Sequence, residues 1–275
     1  MARGIVHATN MGAKVINISQ VSCMSALNIV DQRELGAAIY YAAVQKDVVI
    51  VAAAGNTASA NSDCKQNPIY NPLTPNDSRD WAGVTTVVTP AWYSDYVLTV
   101  GAVDSTGAPL SNMSVAGPWV SIAAPGTDVV SLSPRDDGLI NASEGPDNAM
   151  VRPEGTSFSA AIVSGVAALV RAKYPDLTSH QVINRLIRTA RAPARGVDNQ
   201  IGHGIVDPVA ALTYDVPPGE AVAPPRLSTP LVLPPPPVGR DMTPVWVALG
   251  GVGAVALLSG LVVGLAAMAR SRSQQ

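Results

Sequence analysis

The chain has 275 residues, 47% of them hydrophobic, and a formal net charge of −2. A chain with so little net charge is not expected to bind nucleic acid, which favours strongly basic proteins. We also expect no cofactor and no metal site. About 210 residues of ordinary globular composition are enough to bury a substantial core as one domain.

Apolar strands alternate with helical stretches between Asn10 and Leu212. A short helix closed by Gly12 precedes the first strand. Strands are predicted at Lys14–Ser19, Val48–Ala53, Val97–Val103 and Val120–Ala123. Further helices are predicted over Asp31–Lys46, over Thr156–Lys173 and after a capping box that opens at Thr178. Strands rich in Val and Ile that are separated by helices indicate parallel pairing in a covered sheet, so the predicted fold class is α/β.

The long segment from Thr57 to Asp95 has no clear periodicity and many Asn, Asp, Ser and Pro residues. Its length indicates a surface excursion that serves recognition or docking, or simply a loop fastened to the domain. Cys23 and Cys64 are the two cysteines of the chain and lie in loops beside adjacent strands. They suit one disulfide bond in an exported protein, the alternative being two unlinked buried thiols.

The composition changes after residue 214. Residues 215–244 are rich in proline and predict an extended, semi-rigid spacer without a core of its own. Residues 245–269 carry no charge and are long enough to cross a bilayer as one helix, whereas a buried core helix is usually shorter. The short tail, 270–275, contains Arg270 and Arg272, so the positive-inside tendency places it in the cytoplasm and the globular unit outside.

Ser157 is the candidate nucleophile, because Gly155-Thr156-Ser157 places a lone serine at the start of a helix built from small residues. The strand that ends at Gly55 presents Asn56, whose side-chain amide can donate to an oxyanion. Serine attack on an acyl carbon needs a nucleophile, a base and such donors. Backbone N–H groups at the helix start point to the same place, so two of the three parts are predicted to converge.

At these residues the chain resembles the subtilisin-like serine proteases. Six ordered segments carry the resemblance from about Val15 to Leu212, namely Val15–Ser19, Ala52–Asn56, Pro90–Val103, Ala123–Gly126, Gly155–Ala161 and Gly202–Asp207. The resemblance implies a three-layer fold with a mostly parallel sheet and a serine endopeptidase that forms an acyl-enzyme. It also implies that a peptide substrate lies along two strand ends, at Ser19 and Gln20 and at Ala53, Ala54 and Gly55. The α/β-hydrolase alternative fails at Ser159, where its nucleophile elbow requires glycine.

Within that family, the nucleophile segment, the excursion with its cysteine, the proline-rich spacer and the C-terminal span together resemble the mycosins. These are membrane-anchored proteases of type VII secretion systems. The resemblance implies a single-pass membrane protein whose peptidase domain is extracytoplasmic and associated with the secretion membrane complex. Ser19-Gln20-Val21-Ser22 stands where subtilisins often have Ser-Leu-Gly-Gly, which leaves the preference of the side-chain pocket open.

The Asp-(Ser/Thr)-Gly and His-Gly-Thr segments of the subtilisin triad do not occur in the sequence. Its three histidines have structural explanations. His7 is a half-exposed residue of the first helix, His180 is a solvated residue after the capping box, and His203 follows the serine, with Ile205 in place of threonine. Asp104 belongs to an ordinary turn of Asp, Ser and Gly.

We therefore interpret the chain as a protease whose first third is missing, with a sheet that is incomplete on its N-terminal side. The strand around Ile16 would then have a bare edge. Met1–Gly12 also lacks the export signal that an extracytoplasmic domain requires, which agrees with this interpretation. Without a base the Ser157 hydroxyl is a weak nucleophile, so we expect this polypeptide to be inactive alone. The alternative function is a non-catalytic structural or peptide-binding component of the secretion complex.

Overall fold

A computed structural model describes residues 1–57, 63–69, 79–145, 147, 149–194 and 196–224, together with scattered positions between 242 and 264. The chain divides into two compact units, Met1–Pro234 and Pro235–Gln275. Most of the predicted spacer, most of the predicted span at 245–269 and the predicted tail at 270–275 lie outside the described residues. No helix of the described part combines the length and the apolar character needed to cross a bilayer.

The described part of the first unit is built from helices on both sides of a sheet. The helices are α1 (Ala2–Asn10), α2 (Arg33–Tyr40), α3 (Thr156–Lys173), α4 (Ser179–Thr189) and α5 (Pro208–Thr213). The strands are β1 (Val15–Ile18), β2 (Ser22–Ser25), β3 (Val49–Ala53), β4 (Thr86–Thr89), β5 (Val97–Val103), β6 (Val120–Pro125), β7 (Ser131–Leu132), β8 (Leu139–Ile140), β9 (Ser143–Glu144) and β10 (Met150–Val151).

Four parallel strands in the order β1, β3, β5, β6 form the middle layer. β3 and β5 are buried along their whole length, which explains their unbroken runs of apolar residues. The four predicted strands lie within two residues of the observed ones. The predicted α/β class with a parallel sheet is therefore confirmed.

Alternate residues of the sheet face two different helical layers. Val49 and Val51 pack in a cluster with α3 and α4, whereas Val48 and Ile50 pack in a second cluster with α1 and α2. This alternation produces the three layers. Among the described residues, β1 pairs with β3 alone and forms an edge of the sheet.

The helices agree with the sequence prediction at α3 and α4 and differ from it at α2. Thr178 opens α4 with the predicted capping box, in which its hydroxyl accepts the N–H of Gln181 at 3.3 Å. The helix predicted over Asp31–Lys46 begins instead at Arg33, and its last turn, Tyr41–Gln45, is π-helical. The Asp31 carboxylate accepts the backbone N–H and the guanidinium of Arg33, and these bonds lower the pKa of Asp31 to about 2.

The described part of the Thr57–Asp95 excursion is fastened to the domain at several points. A disulfide bond joins Cys23, on β2, to Cys64, with Cα atoms 5.0 Å apart, and β2 pairs antiparallel with β4. The buried Asn67 side chain donates to two backbone carbonyls and accepts two backbone N–H groups. Trp119 packs against two further tryptophans, Trp81 and Trp92. These contacts support the interpretation as a fastened loop.

Residues 218–223, which the sequence analysis assigned to the spacer, lie against α4. Three side chains near the start of this helix donate to backbone carbonyls of the segment: Thr178 to Ala221 at 2.6 Å, Gln181 to Gly219 at 3.1 Å and Asn184 to Pro218 at 3.1 Å. Ala223 is buried in the cluster formed with α1 and α2. Contacts with the domain thus continue about ten residues past position 214.

Candidate active site

Asn56 and Ser157 follow elements that meet at the same edge of the sheet. Asn56 comes three residues after the last residue of β3, and Ser157 is the second residue of α3. The turn after β6 reaches this edge too, because the carbonyl of Gly126 accepts the N–H of Gly155 at 2.8 Å. Since the carboxyl ends of parallel strands share one edge, the topology brings the predicted nucleophile and the predicted amide together.

The Asn56 side chain is held by Thr156, the first residue of α3. Its Oδ1 accepts the backbone N–H and the hydroxyl of Thr156, both at 3.0 Å. The same hydroxyl accepts the N–H of Gly55 at 3.2 Å. These bonds use the oxygen of the amide and leave its Nδ2 without a hydrogen-bond partner among the described residues. An amide oriented in this way can donate to a negatively charged oxygen.

Gly155 allows the amide to lie this close to the start of α3. Its φ is +122°, a value that residues with a side chain rarely adopt. A Cβ at this position would lie 2.9 Å from Nδ2 of Asn56. The segment Gly155-Thr156-Ser157 therefore has a physical explanation at each position. The glycine permits the approach, the threonine holds the amide and the serine is the candidate nucleophile.

Ser157 forms a reciprocal pair with Ser19, the residue after β1. The Ser157 hydroxyl donates to the carbonyl of Ser19 at 3.1 Å, and the Ser19 hydroxyl donates to the carbonyl of Ser157 at 3.1 Å. Ser157 is half-buried and Ser19 is exposed. The candidate nucleophile is thus accessible at the carboxyl ends of the strands, and its hydroxyl group is hydrogen-bonded to the backbone carbonyl of Ser19.

The predicted substrate-lining residues divide into an exposed and a buried group. Ser19 and Gln20 are exposed, whereas Ala53, Ala54 and Gly55 are buried. A Cβ added at Gly55 would lie 3.5 Å from the methyl groups of three valines, Val21, Val88 and Val115. The strand end beside the site is therefore surrounded by apolar side chains.

His203 lies near the amino end of β6, whereas Ser157 lies near the carboxyl ends of the strands. The backbone N–H of His203 donates to the carbonyl of Ser121, the second residue of β6. Gly126, at the site, is five residues further along this extended chain, a distance of roughly 16 Å. Its Nε2 accepts a hydrogen bond from the Arg79 guanidinium at 2.8 Å. Burial, and then the positive charge of Arg79, lower the pKa of His203. His203 is a structural partner of Arg79.

The remaining candidates for a base or an orienting acid are also accounted for. His7 is exposed on α1, and His180 is half-buried on α4 rather than solvated as predicted; burial lowers its pKa. Asp104 forms the predicted turn, because its Oδ1 accepts the N–H groups of Thr106 and Ala108 at 2.8 and 2.9 Å. Among the described residues, no histidine is hydrogen-bonded to Ser157.

Two contributions to the site were not anticipated from the sequence. Thr156 holds Asn56, although its position directly before the serine was a visible signal. Gly126 supports the start of α3, and a Cβ there would lie 2.9 Å from Oγ of Ser159. Both contacts join residues that are distant in sequence, which local patterns do not reveal.

The chain is similar to known proteins over most of its length. The sequence profile of the Subtilase family, Peptidase_S8, matches residues 1–204. The chain is 69% identical over 276 aligned residues to Mycosin-5 of Mycobacterium tuberculosis, with 100% of this chain and 47% of that protein covered. The chain spans about half the length of the curated relatives it matches first.

Solved structures with the same fold come from related chains. A chain of the intact ESX-5 inner membrane complex is 70% identical, with a TM-score of 0.73 over 97% of this chain and 60% of that chain. The crystal structure of MycP1 from Mycobacterium smegmatis is 52% identical, with a TM-score of 0.76 over 83% of this chain and 57% of that chain.

Proposed function

We propose, from the premise that this chain belongs to the subtilase family of serine peptidases, that Ser157 attacks the carbonyl carbon of a peptide bond to form an acyl-enzyme. One observation carries the proposal: Thr156 holds the Asn56 amide by its oxygen, directly beside the residue that bears the nucleophile. The developing oxyanion would accept hydrogen bonds from Nδ2 of Asn56 and from backbone N–H groups at the start of α3. The tetrahedral intermediate then collapses, the C–N bond breaks, and the leaving amine takes up the serine proton from the base; water afterwards hydrolyses the acyl-enzyme to a carboxylic acid and free Ser157.

The proton of Ser157 needs a stronger acceptor than the carbonyl of Ser19. Since none of the three histidines is hydrogen-bonded to Ser157 in the described part of the chain, we propose that the base is a histidine of the natural protein outside these 275 residues. In the 275-residue chain alone, the Ser157 hydroxyl is then a poor nucleophile, and the chain is inactive. The accessible hydroxyl of Ser157 and the edge position of β1 are compatible with the approach of such a segment.

The proposed substrate is an extended peptide or protein segment. It would lie between Ser19-Gln20 on one side and Ala53–Gly55 on the other and pair through its backbone. Ser19 and Gln20 are exposed and available for this pairing. Of the three valines around Gly55, Val88 and Val115 are fully buried, so only the half-buried Val21 could contact a substrate side chain.

We place this peptidase domain outside the cytoplasm, attached to the membrane through residues 245–269 and associated with a type VII secretion membrane complex. Three observations support this setting. Related chains belong to an ESX-5 inner membrane complex and to its periplasmic assembly. The Cys23–Cys64 disulfide suits an oxidising compartment. The uncharged run at 245–269 is long enough to span a bilayer.

A non-catalytic function is the second candidate, because Ser157 has no histidine partner among the described residues. In that case the chain would bind a peptide or stabilise the membrane complex without cleaving a bond. A fluorophosphonate probe separates the two functions, since it reacts only with an activated serine.

The test compares the natural full-length protein, its Ser157→Ala variant and the 275-residue chain. We expect the probe to label the natural protein, and neither the variant nor the 275-residue chain. Absence of labelling in the natural protein would favour the non-catalytic function. Labelling of Ser157 in the 275-residue chain would contradict the proposal that the base lies elsewhere.

A further inference from the structure

The residues of β1 alternate between the two helical layers, and its polar residue faces α3. Ile16 and Ile18 are buried in the cluster with α1 and α2, whereas Val15 packs against the cluster that contains α3. Asn17 shares the face of Val15, and the next residue on that face is Ser19. Asn17 itself is exposed, and its hydrogen bonds rather than its burial distinguish it.

Three hydrogen bonds link Asn17 to Ser157 through Ser19. On the other side of Asn17, its Oδ1 lies 3.1 Å from the Ser164 hydroxyl, whose single hydrogen has a nearer acceptor in the carbonyl of Ala160 at 2.8 Å. Nδ2 of Asn17 donates to Oγ of Ser19 at 3.0 Å. The Ser19 hydroxyl then donates to the carbonyl of Ser157, and the Ser157 hydroxyl donates to the carbonyl of Ser19, both at 3.1 Å.

Asn17 sets the direction of these bonds. Because Nδ2 can only donate, the Ser19 oxygen accepts at this contact, and its single hydroxyl hydrogen is left for the carbonyl of Ser157. Two reciprocal bonds then hold the end of β1 against the first turn of α3. They determine the distance between the nucleophile and the strand end along which a peptide would lie.

We propose that Asn17 is a positioning residue for Ser157 that acts through Ser19. The inference rests on the proposed function, because it assigns a role in the attack of Ser157 on a peptide. A displacement of about 1 Å at a reacting group costs on the order of 100-fold in rate. A change in the distance between β1 and α3 would therefore change kcat directly.

Asn17→Asp is the discriminating substitution, since aspartate has the same shape but no donor. Its carboxylate would attract the Ser19 hydroxyl hydrogen and remove the bond to the carbonyl of Ser157. In the natural full-length protein we expect Asn17→Asp and Ser19→Ala each to lower kcat about tenfold or more with little change in KM. Asn17→Ala should have a smaller effect, because Ser19 keeps its hydrogen for Ser157.

A double-mutant cycle tests whether Asn17 acts through Ser19. Asn17→Asp should cause no further loss in the Ser19→Ala background, whereas a general structural effect would add to it. Asn28→Asp is the matched control, because it makes the same change of charge at an exposed asparagine whose side chain forms no hydrogen bond within the described part of the chain. Unchanged kcat in Asn17→Asp, or additive losses in the double variant, would overturn the proposal.

A structural measurement decides the proposal independently of activity. If the natural full-length protein has no peptidase activity, the proposed function fails, and a crystal structure of its Asn17→Asp variant still tests the positioning. We expect the bond from the Ser19 hydroxyl to the Ser157 carbonyl to be present in the unchanged full-length protein and lost in the variant. Retention of this bond at about its present 3.1 Å in the variant would refute the positioning role. Thermal unfolding of each variant shows that the comparison is made between folded proteins.

Discussion

Asn56 should contribute to stability through its oxygen and to turnover through its nitrogen. Oδ1 accepts two hydrogen bonds from Thr156, whereas Nδ2 is left for the oxyanion. Asn56→Asp keeps an acceptor for Thr156 and removes the donor. Asn56→Ala removes both. The two variants therefore separate two roles of one side chain.

The effect on stability follows from the two bonds to Thr156. Each such bond contributes about 1 kcal/mol, so Asn56→Ala should cost about 2 kcal/mol. For a domain of about 200 residues, this lowers the thermal midpoint by roughly 4–8 °C. Asn56→Asp keeps both bonds, and its negative charge is favourable near the N-terminus of α3. Its midpoint should be unchanged or higher.

Turnover should fall in both variants. Removal of one oxyanion donor costs about 10²–10³ in kcat, a magnitude known from a related subtilisin. The aspartate should be at least as damaging as the alanine, because a carboxylate repels the oxyanion. Calorimetry and hydrolysis of a fluorogenic peptide by the natural full-length protein measure the two effects. Normal turnover of Asn56→Asp, or an unchanged midpoint of Asn56→Ala, would refute this division of roles.

Three further predictions concern the stability of the folded domain. Reduction of the Cys23–Cys64 bond, which closes a loop with a sequence separation of 41, should lower the free energy of unfolding by about 4 kcal/mol in urea; a loss below about 1 kcal/mol would contradict this. Because the pKa of His203 is lowered in the folded state, its contribution to stability should be complete above the ordinary pKa of about 6.5 and decline as the pH falls below it. His203→Gln keeps an acceptor for Arg79 without titrating, so urea unfolding from pH 8 to 5 should show a shallower decline than in the unchanged protein. Trp119→Ala should cost about 3–5 kcal/mol, since the indole is fully buried. Trp119→Phe should cost clearly less, because Nε1 has no hydrogen-bond partner among the described residues.

Periodicity and motif spacing were sufficient to predict the parallel sheet and the start of α3. β3 and β5 are buried on both faces, so their apolar runs were unambiguous, and α3 begins at the predicted residue, Thr156. The sequence analysis predicted that Asn56 and Ser157 converge because both serve one oxyanion, and the structure brings them together because parallel strands end on the same side of the sheet. These features depend on local sequence and on simple topology.

Contacts between distant segments were beyond prediction from the sequence. The orientation of the Asn56 amide depends on Thr156, 100 residues away, and the proton of Ser157 is bound to Ser19, 138 residues away. The attachment of residues 218–223 depends on side chains of α4 that donate to backbone carbonyls. A proline-rich composition indicates an extended backbone but does not indicate what that backbone contacts.

The described half of the site is organised without a histidine. Gly155 and Thr156 orient the side chain of Asn56, the proposed oxyanion donor, and Ser19 holds Ser157 at the end of β1. A base that arrives from another part of the natural protein has to replace only one exposed hydrogen bond of Ser157, worth about 0.5–1.5 kcal/mol. A hydrogen bond from the hydroxyl to an imidazole nitrogen would offset that loss. Inactivity of the 275-residue chain would then reflect a missing proton acceptor, while the nucleophile and the oxyanion donor already occupy their places.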